Sequence, residues 1–394
     1  MWYRLDELFD LQMGKTPSRS NGKYWNCGDN KWISIRDLTP SQKYVSETKE
    51  SISNDAVIES GIKVVPANTV VMSFKLSIGK VAITKECMYS NEAVMAFLDK
   101  HKTELLPEYI YYLFRYRDWG EGINKAVMGK TLNKATLSKI KIDICPIQKQ
   151  KDIVKLLDKV SYILTNRKNQ ILTLENLIKS RFVEMFGDPV HNSMEWPIKK
   201  LSDLSLQINS GNTPKGGEQV YVDKGITFFR SQNVWKDRLE MDDIAYIGEI
   251  THASMNRSSL KHGDILMTKT GRINTENSSL GRAALYLGED DAANVNGHVY
   301  FIRLRAGVNN KFILRILVSD EYRDYIRSVC VGGIDKRQLN KDHIENFPII
   351  CPPESMIEEY IMFVEQIDKL KVEVQKSLNE TQTLFDCLMQ KYFG

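Results

Sequence analysis

Six histidines (His101, His191, His252, His262, His298 and His343) and six cysteines (Cys27, Cys87, Cys145, Cys330, Cys351 and Cys387) are the side chains best suited to proton transfer, nucleophilic attack or metal ligation. Their spacing supports none of these. No cysteine pair has the C-x-x-C interval of a zinc knuckle or disulfide framework, and no H-E-x-x-H places two imidazoles on one helical face. Cys145 and Cys351, each before a proline at a strand end, suit buried packing better than catalysis. Gly14-Lys15-Thr16 and Gly129-Lys130-Thr131 have the tail of a phosphate-binding loop, but Phe9 and Asn124 stand where its first glycine belongs. Asp37, Glu47 and Lys49 are the residue types of a metal-dependent nuclease, yet the second half of the chain has no copy of them. No G-x-G-x-x-G follows a strand. The expectation is a chain without metal, cofactor or catalytic centre of its own.

The elements that would position any site come in duplicate. Leu5-Asp6-Glu7-Leu8 and Gly14-Lys15-Thr16-Pro17 are followed, about two hundred residues on, by Leu201-Ser202-Asp203-Leu204 and Gly211-Asn212-Thr213-Pro214. The run Trp32-Ile33-Ser34-Ile35-Arg36-Asp37-Leu38 parallels Phe228-Phe229-Arg230-Ser231-Gln232-Asn233-Val234, each read as a strand ending in polar residues. Val70 to Lys75 parallels Ile265 to Thr270, and both copies then reach a glycine and a base, Gly79-Lys80 and Gly281-Arg282. Leu132-Asn133-Lys134 and Ile144-Cys145-Pro146 return as Leu339-Asn340-Lys341 and Ile350-Cys351-Pro352.

Each copy closes with a long segment free of internal Pro and Gly, 147–186 and 354–393. In the first, Ile153, Leu157, Val160, Leu164, Ile171, Leu174, Ile178 and Met185 recur at three- and four-residue steps, interrupted by Arg167 and Arg181; in the second, Tyr360, Val364, Ile367, Val374, Leu378, Phe385, Leu388 and Tyr392 do so, interrupted by Lys371 and Thr381. Residues 147–188 hold 8 basic and 5 acidic side chains, and 354–394 hold 4 and 8, so opposite charge favours pairing the two helices with each other, antiparallel. Burial of the apolar seams drives such pairing, at roughly 25 cal/mol per Å². Core helices of two separate domains are the plainer alternative.

At 394 residues, with 42% hydrophobic and 26% charged side chains, the chain has the length for two cores and an ordinary globular composition. The net charge of +4 is too small to name a partner, but it is uneven: residues 1–188 carry 29 Lys and Arg against 22 Asp and Glu, and the remainder 25 against 28. No run approaches eighteen apolar residues, and the opening Met1-Trp2-Tyr3-Arg4-Leu5-Asp6 lacks the order of a signal peptide, so a cytoplasmic location is expected.

The run Ser180-Arg181-Phe182-Val183-Glu184-Met185-Phe186-Gly187-Asp188-Pro189, at the end of the central helix, resembles the central region of specificity subunits of Type I restriction-modification systems. Gly14-Lys15-Thr16-Pro17, the stretch Trp32 to Leu38, Gly263-Asp264-Ile265-Leu266-Met267, and Leu-Asn-Lys before a Pro-headed helix in each half are similar to elements of that family, along the whole chain. The resemblance implies an α+β architecture of two tandem mixed α/β target recognition domains joined by two long antiparallel helices as a coiled-coil spacer, with a pseudo-two-fold internal repeat. The expected domains are 1–146, the helix 147–188, 189–353, and the helix 354–394. It also implies double-stranded DNA with a bipartite, asymmetric target as ligand. Two modification subunits carrying S-adenosylmethionine and adenine methylation are the implied partners, with restriction subunits as further ones.

On that reading, loops after strands supply Lys, Arg and amides for phosphates and Arg, Lys, Asn or Gln for base edges. The candidates are Lys15, Arg19, Lys23, Arg36, Lys75 and Lys130 in the first domain, and Lys215, Arg230, Gln232, Asn233, Lys269, Arg272 and Lys336 in the second. Arg230, Gln232 and Asn233 lead, because three hydrogen-bonding groups at one strand end can grip a base pair together. Solvated surface charge is the ordinary fate of each. Two other readings are a protein-binding coiled-coil adaptor that reads no DNA, and a DNA-modifying enzyme acting alone.

Overall fold

The computed structural model describes residues 1–39, 42–75, 77–119, 132–275 and 277–394; the candidate Lys130 lies outside them. The chain divides into two compact units, Met1–Asn169 with Val374–Gly394, and Gln170–Glu373. Each unit thus takes one mixed domain together with part of both long helices.

In the first unit, strands Phe9–Met13, Val94–Asp99, Val70–Ser73, Val81–Thr84 and Tyr44–Val45 lie side by side in that order. All neighbours are antiparallel except the last pair. A second sheet sets Trp25–Ile33 between Glu50–Ile52 and, in parallel, Tyr89–Ser90. The second unit repeats this plan: Ser205–Ser210, Val299–Leu304, Ile265–Thr268 and Ala283–Leu285 form the antiparallel sheet. Ile226–Phe229 pairs in parallel with Ala293–Val295, and antiparallel with Ala245–Ile247. In the second unit Thr270–Arg272, Lys336–Gln338 and Val331–Gly332 also form a three-stranded sheet.

The motifs that recur in sequence are the joints of this plan. Gly14 and Gly211 end equivalent strands where the chain passes against another backbone. A Cβ there would stand 2.0 Å from the Ser90 carbonyl oxygen and 2.1 Å from that of Val295, so only glycine fits. The next amides, Lys15 and Asn212, donate to those same carbonyls at 2.9 and 3.1 Å. The phosphate-loop likeness of Gly14-Lys15-Thr16 is therefore a strand junction. In both short helices Leu5–Leu8 and Leu201–Leu204 an acid folds back on the amide before the helix, Glu7 on Arg4 at 2.7 Å and Asp203 on Lys200 at 3.2 Å. The Leu-Asn-Lys motif buries its leucines, Leu132 and Leu339, and uses Asn133 and Asn340 as the first caps of helices Lys134–Lys139 and Lys341–Glu345.

The long helices run Ile147–Phe186 and Glu354–Phe393, 40 residues each. Within the first unit Ile153, Leu157, Val160 and Leu164 share one buried cluster with Phe385 and Met389, and Leu378, Leu388 and Tyr392 pack at its edge. Within the second, Ile178, Phe182 and Met185 share a cluster with Tyr360, Val364 and Ile367. There the run is antiparallel: Glu175 pairs with Lys371 at 3.5 Å, and Arg181 with Glu359 at 2.7 Å. Ile171, Leu174 and Val374 are only half-buried. The seam also differs from a two-helix seam in having a third wall. Phe385 meets Tyr112 of helix Pro107–Tyr116, with ring centroids 6.4 Å apart, and Phe182 stacks on Phe312 of helix Asn310–Val318 at 5.9 Å. Each long helix is thus fastened to the globular part of its unit as well as to its partner helix.

Candidate nucleic-acid interface

The paired runs expected to be strands throughout are strands only in their first part. The strands stop at Ile33 and Phe229, and a tight turn follows. Its clamp is built twice. The Asp37 carboxylate accepts from the Ser34 amide at 2.8 Å and hydroxyl at 2.7 Å, and from the Lys49 amide at 2.9 Å. In the second unit the Asn233 side-chain oxygen accepts from the Arg230 amide at 2.9 Å, while its nitrogen donates to the carbonyls of Glu240 at 3.1 Å and Asp243 at 3.0 Å. Asn233 is 1% exposed and its hydrogen-bonding capacity is used inside the protein, which removes it from the base-reading set. The residue before each clamp, Arg36 or Gln232, points outward and is exposed.

Arg230 is held back from solvent. Its Nη2 donates to the Asp243 carbonyl at 2.6 Å and pairs with the Asp243 carboxylate at 3.1 Å, leaving the side chain 15% exposed. Gln232 donates to the same carboxylate at 2.9 Å. That amide bond first, and the Arg230 charge second, hold the Asp243 carboxyl below its ordinary range. Arg230 and Gln232 therefore form one group around Asp243, and the outer member is Gln232.

In the first unit Arg19 lies 3.6 Å from the Trp25 ring centroid and grips Glu50 with both guanidinium arms, one at 3.0 Å. Arg19, with a further contribution from Arg36, keeps the Glu50 carboxyl low. Trp25 packs edge-on against Trp32 at 4.9 Å, and the Trp32 indole donates to the Lys15 carbonyl at 3.1 Å. Lys15 itself donates to the Ser60 carbonyl at 3.0 Å. The structure so gathers Lys15 and Arg19 about a tryptophan pair that spacing alone did not reveal, with exposed Lys23 on the adjoining turn Gly22–Tyr24.

Lys75 and Lys269 follow strands Val70–Ser73 and Ile265–Thr268 at adjacent, not equivalent, positions, each with its ammonium near a ring, 5.4 Å from Phe74 and 5.6 Å from Tyr300. Arg272 and Lys336 face each other across antiparallel strands, and Arg272 also pairs with Asp335 at 3.2 Å. Together with Thr270, Thr275, Asn277 and Ser279 they line an open hollow of about 440 Å³. Lys215 is exposed. Among the described residues no cluster of His, Cys, Asp and Glu could hold a metal ion, and no helix is long and apolar enough to cross a membrane.

Two copies of one outward-facing turn, flanked by cations and aromatic faces, make a polar contact module rather than an enclosed reaction site. Residues 1–174 match the model of the Type I restriction modification DNA specificity domain. Along nearly its whole length the chain is similar to a Type I specificity subunit: it is 24% identical to the Type I restriction enzyme MjaIX specificity subunit of Methanocaldococcus jannaschii over 98% of this chain and 91% of that one. Two solved structures share the fold along this chain's full length. One is the S subunit of a Type I restriction-modification system from M. genitalium, with TM-score 0.55, 14% identity and 96% of that chain covered. The other comes from work on complex assembly and conformational transition of the Type I R-M system, with TM-score 0.60, 15% identity and 97% of that chain covered.

Proposed function

We propose that this chain is the non-catalytic DNA-reading subunit of a Type I restriction-modification assembly, and that each unit reads one part of a bipartite, asymmetric target. One observation carries the reading: the same clamped turn is built at Asp37 and at Asn233, with unlike outward side chains, Arg36 against Gln232. A repeated scaffold with different outward donors is what recognition of two unlike short sequences requires. Arg36 and Gln232 are the base-edge candidates, with Arg230 orienting Gln232 through Asp243. Lys15, Lys23, Lys75, Lys215, Lys269, Arg272 and Lys336 are phosphate candidates, and Arg19 positions the tryptophan pair.

Residues 1–146 and 189–353 act here as target recognition domains, and the helices 147–188 and 354–394 as spacer and docking surface. Two modification subunits carry the methyl donor and adenine chemistry, restriction subunits join for cleavage, and the assembly works in the cytoplasm. The test is co-expression with a Type I modification subunit, followed by sequencing of methylated DNA. Arg36→Ala and Gln232→Ala should each change one part of the methylated motif and leave the other intact, since a good base contact is worth about 1 to 3 kcal/mol of discrimination. A palindromic motif, or the same change from both substitutions, would overturn the proposal.

A further inference from the structure

The turn Gly281-Arg282, the second-half counterpart of Gly79-Lys80, has no part in the contacts above, yet it builds a distinctive site. Gly281 adopts a left-handed conformation (φ 67°) and its amide donates to the Thr268 carbonyl at 3.1 Å, which turns Arg282 out of the sheet edge. The guanidinium lies 3.9 Å from the Trp235 ring centroid, and its Nε donates to the Ser278 carbonyl at 2.9 Å. Arg238 approaches the same indole at 5.4 Å. These two arginines, Trp235, Lys236 and Arg323 line a hollow of about 410 Å³ within the second unit.

Arg238 meets Glu240 at 2.6 Å and Lys236 meets Asp320 at 2.8 Å, and Arg282 donates to the carbonyls of Ser278 and Asn277. Burial, and then the like charges of Arg323 and Arg238, push the Arg282 guanidinium down from its usual range. Like charges brought together in a partly enclosed hollow favour an anion between them. Asn277 and Ser278 line this hollow and also the neighbouring one that holds Arg272 and Lys336, so the two hollows adjoin within the second unit. A ligand with repeated anionic groups fits that arrangement, and hydroxyl, amide and guanidinium donors are the usual partners of phosphate oxygens.

We propose that the hollow formed by Trp235, Arg238, Arg282 and Arg323 seats a phosphate of the DNA backbone, next along the strand from one held by Arg272 and Lys336. The proposal rests on the DNA-reading function above and adds a sequence-independent anchor to it. The test uses the full chain with its modification subunit, one duplex containing the methylated motif and one unrelated duplex, each titrated across salt. Arg282→Gln should weaken both duplexes by the same factor and make the salt slope shallower by about one unit, as expected for one lost phosphate contact. Arg282→Lys should keep the wild-type slope, and the methylated motif should be unchanged in both variants. Arg238→Gln, at a largely exposed side chain, carries the same expectation if Arg282→Gln does not fold. Unchanged slopes in both glutamine variants, or weakening confined to the motif duplex, overturn the phosphate seat. So does unaltered DNA binding with loss of the modification subunit, which would assign the hollow to an acidic protein segment. Failure of the wild-type chain to bind either duplex refutes the DNA-reading function itself, a result distinct from all of these.

Discussion

The carboxylate of Asp264 supplies a sharp quantitative test of how the second unit is held together. It is 1% exposed at the start of strand Ile265–Thr268 and takes both arms of Arg303, Nε at 2.9 Å and Nη2 at 2.7 Å, as well as the Lys261 amide at 2.8 Å. Removing one member of a buried ion pair costs about 3 to 5 kcal/mol, because the other charge is left desolvated. Arg303 is 22% exposed and keeps the Ser259 carbonyl at 3.1 Å, so Asp264→Ala belongs at the lower end, about 3 kcal/mol. For a unit of this size that corresponds to a fall in Tm of roughly 6 to 12 °C. The repeat also supplies the remedy. Val70 pairs with Phe97 as Ile265 pairs with Ile302, which places Thr69 and Leu98 at the positions of Asp264 and Arg303. The double substitution Asp264→Thr with Arg303→Leu removes both charges together and should return the unit to within about 1.5 kcal/mol of wild type. Thermal unfolding, with hydrogen exchange at the amides of Ile265–Thr268 reporting the second unit alone, measures both variants. A shift below about 2 °C for Asp264→Ala, or a double variant no more stable than the single one, would refute the reasoning.

Gly14→Ala and Gly211→Ala should each unfold or strongly destabilise their own unit, by more than about 2 kcal/mol, because the added carbon meets backbone oxygens that side-chain motion cannot move aside; hydrogen exchange of the two units separately checks this, and a wild-type Tm in either variant contradicts it. Leu157→Ala, at a fully buried position in the first unit's core, should cost about 2 to 5 kcal/mol, whereas Leu172→Ala, 57% exposed on the same helix, should stay within about 0.5 kcal/mol in urea unfolding. Lys236 and then Lys179 hold the Asp320 carboxyl down to about 2 from its ordinary 3.8. A carboxylate lowered on folding adds stability that is present above its unfolded value and lost as pH falls through the folded one. Asp320→Asn should therefore lower Tm at pH 6, by the modest amount of an exposed ion pair, about 1 kcal/mol or less, with the gap to wild type closing between about pH 4 and 2; an equal gap at both ends of that range would show that the pair does not titrate in this way.

The architecture was legible because the two copies check each other. Either Gly-x-Thr-Pro or Leu-Asn-Lys is uninformative alone, but the same order at the same intervals fixes equivalent strands, caps and helix starts in both halves. Helix seams followed from spacing, and Ile153, Leu157, Val160, Leu164, Ile178, Tyr360, Val364, Ile367 and Phe385 are buried as the periodicity required. Periodicity reports which face is covered, not by what, so the third wall at Tyr112 and Phe312 was invisible to it. The site was less legible, since hydrogen-bonding side chains do double duty. Asn233 has the chemistry of a base reader and is spent on closing a turn. Arg19 has the chemistry of a phosphate contact and is bound to Glu50 over Trp25. One signal was present: Asp37 and Asn233 align, and short side chains with a carbonyl-type oxygen that can reach the amide three residues back, just after a strand end, are turn clamps.

That alignment separates two kinds of residue across the whole repeat. Positions alike in both copies, Gly14 with Gly211, Asp37 with Asn233 and Asn133 with Asn340, all satisfy backbone groups or admit a close backbone approach. Such constraints are imposed by the fold and are the same whatever is bound, so both copies must meet them. Arg36 and Gln232 stand on the same scaffold, face outward, and answer to no internal constraint of that kind. A ligand-reading surface is free to differ only where the backbone asks nothing of the side chain. Selectivity in this protein should therefore move from one unit to the other when Arg36 and Gln232 are exchanged with their neighbouring loops, while the repeated clamps stay in place.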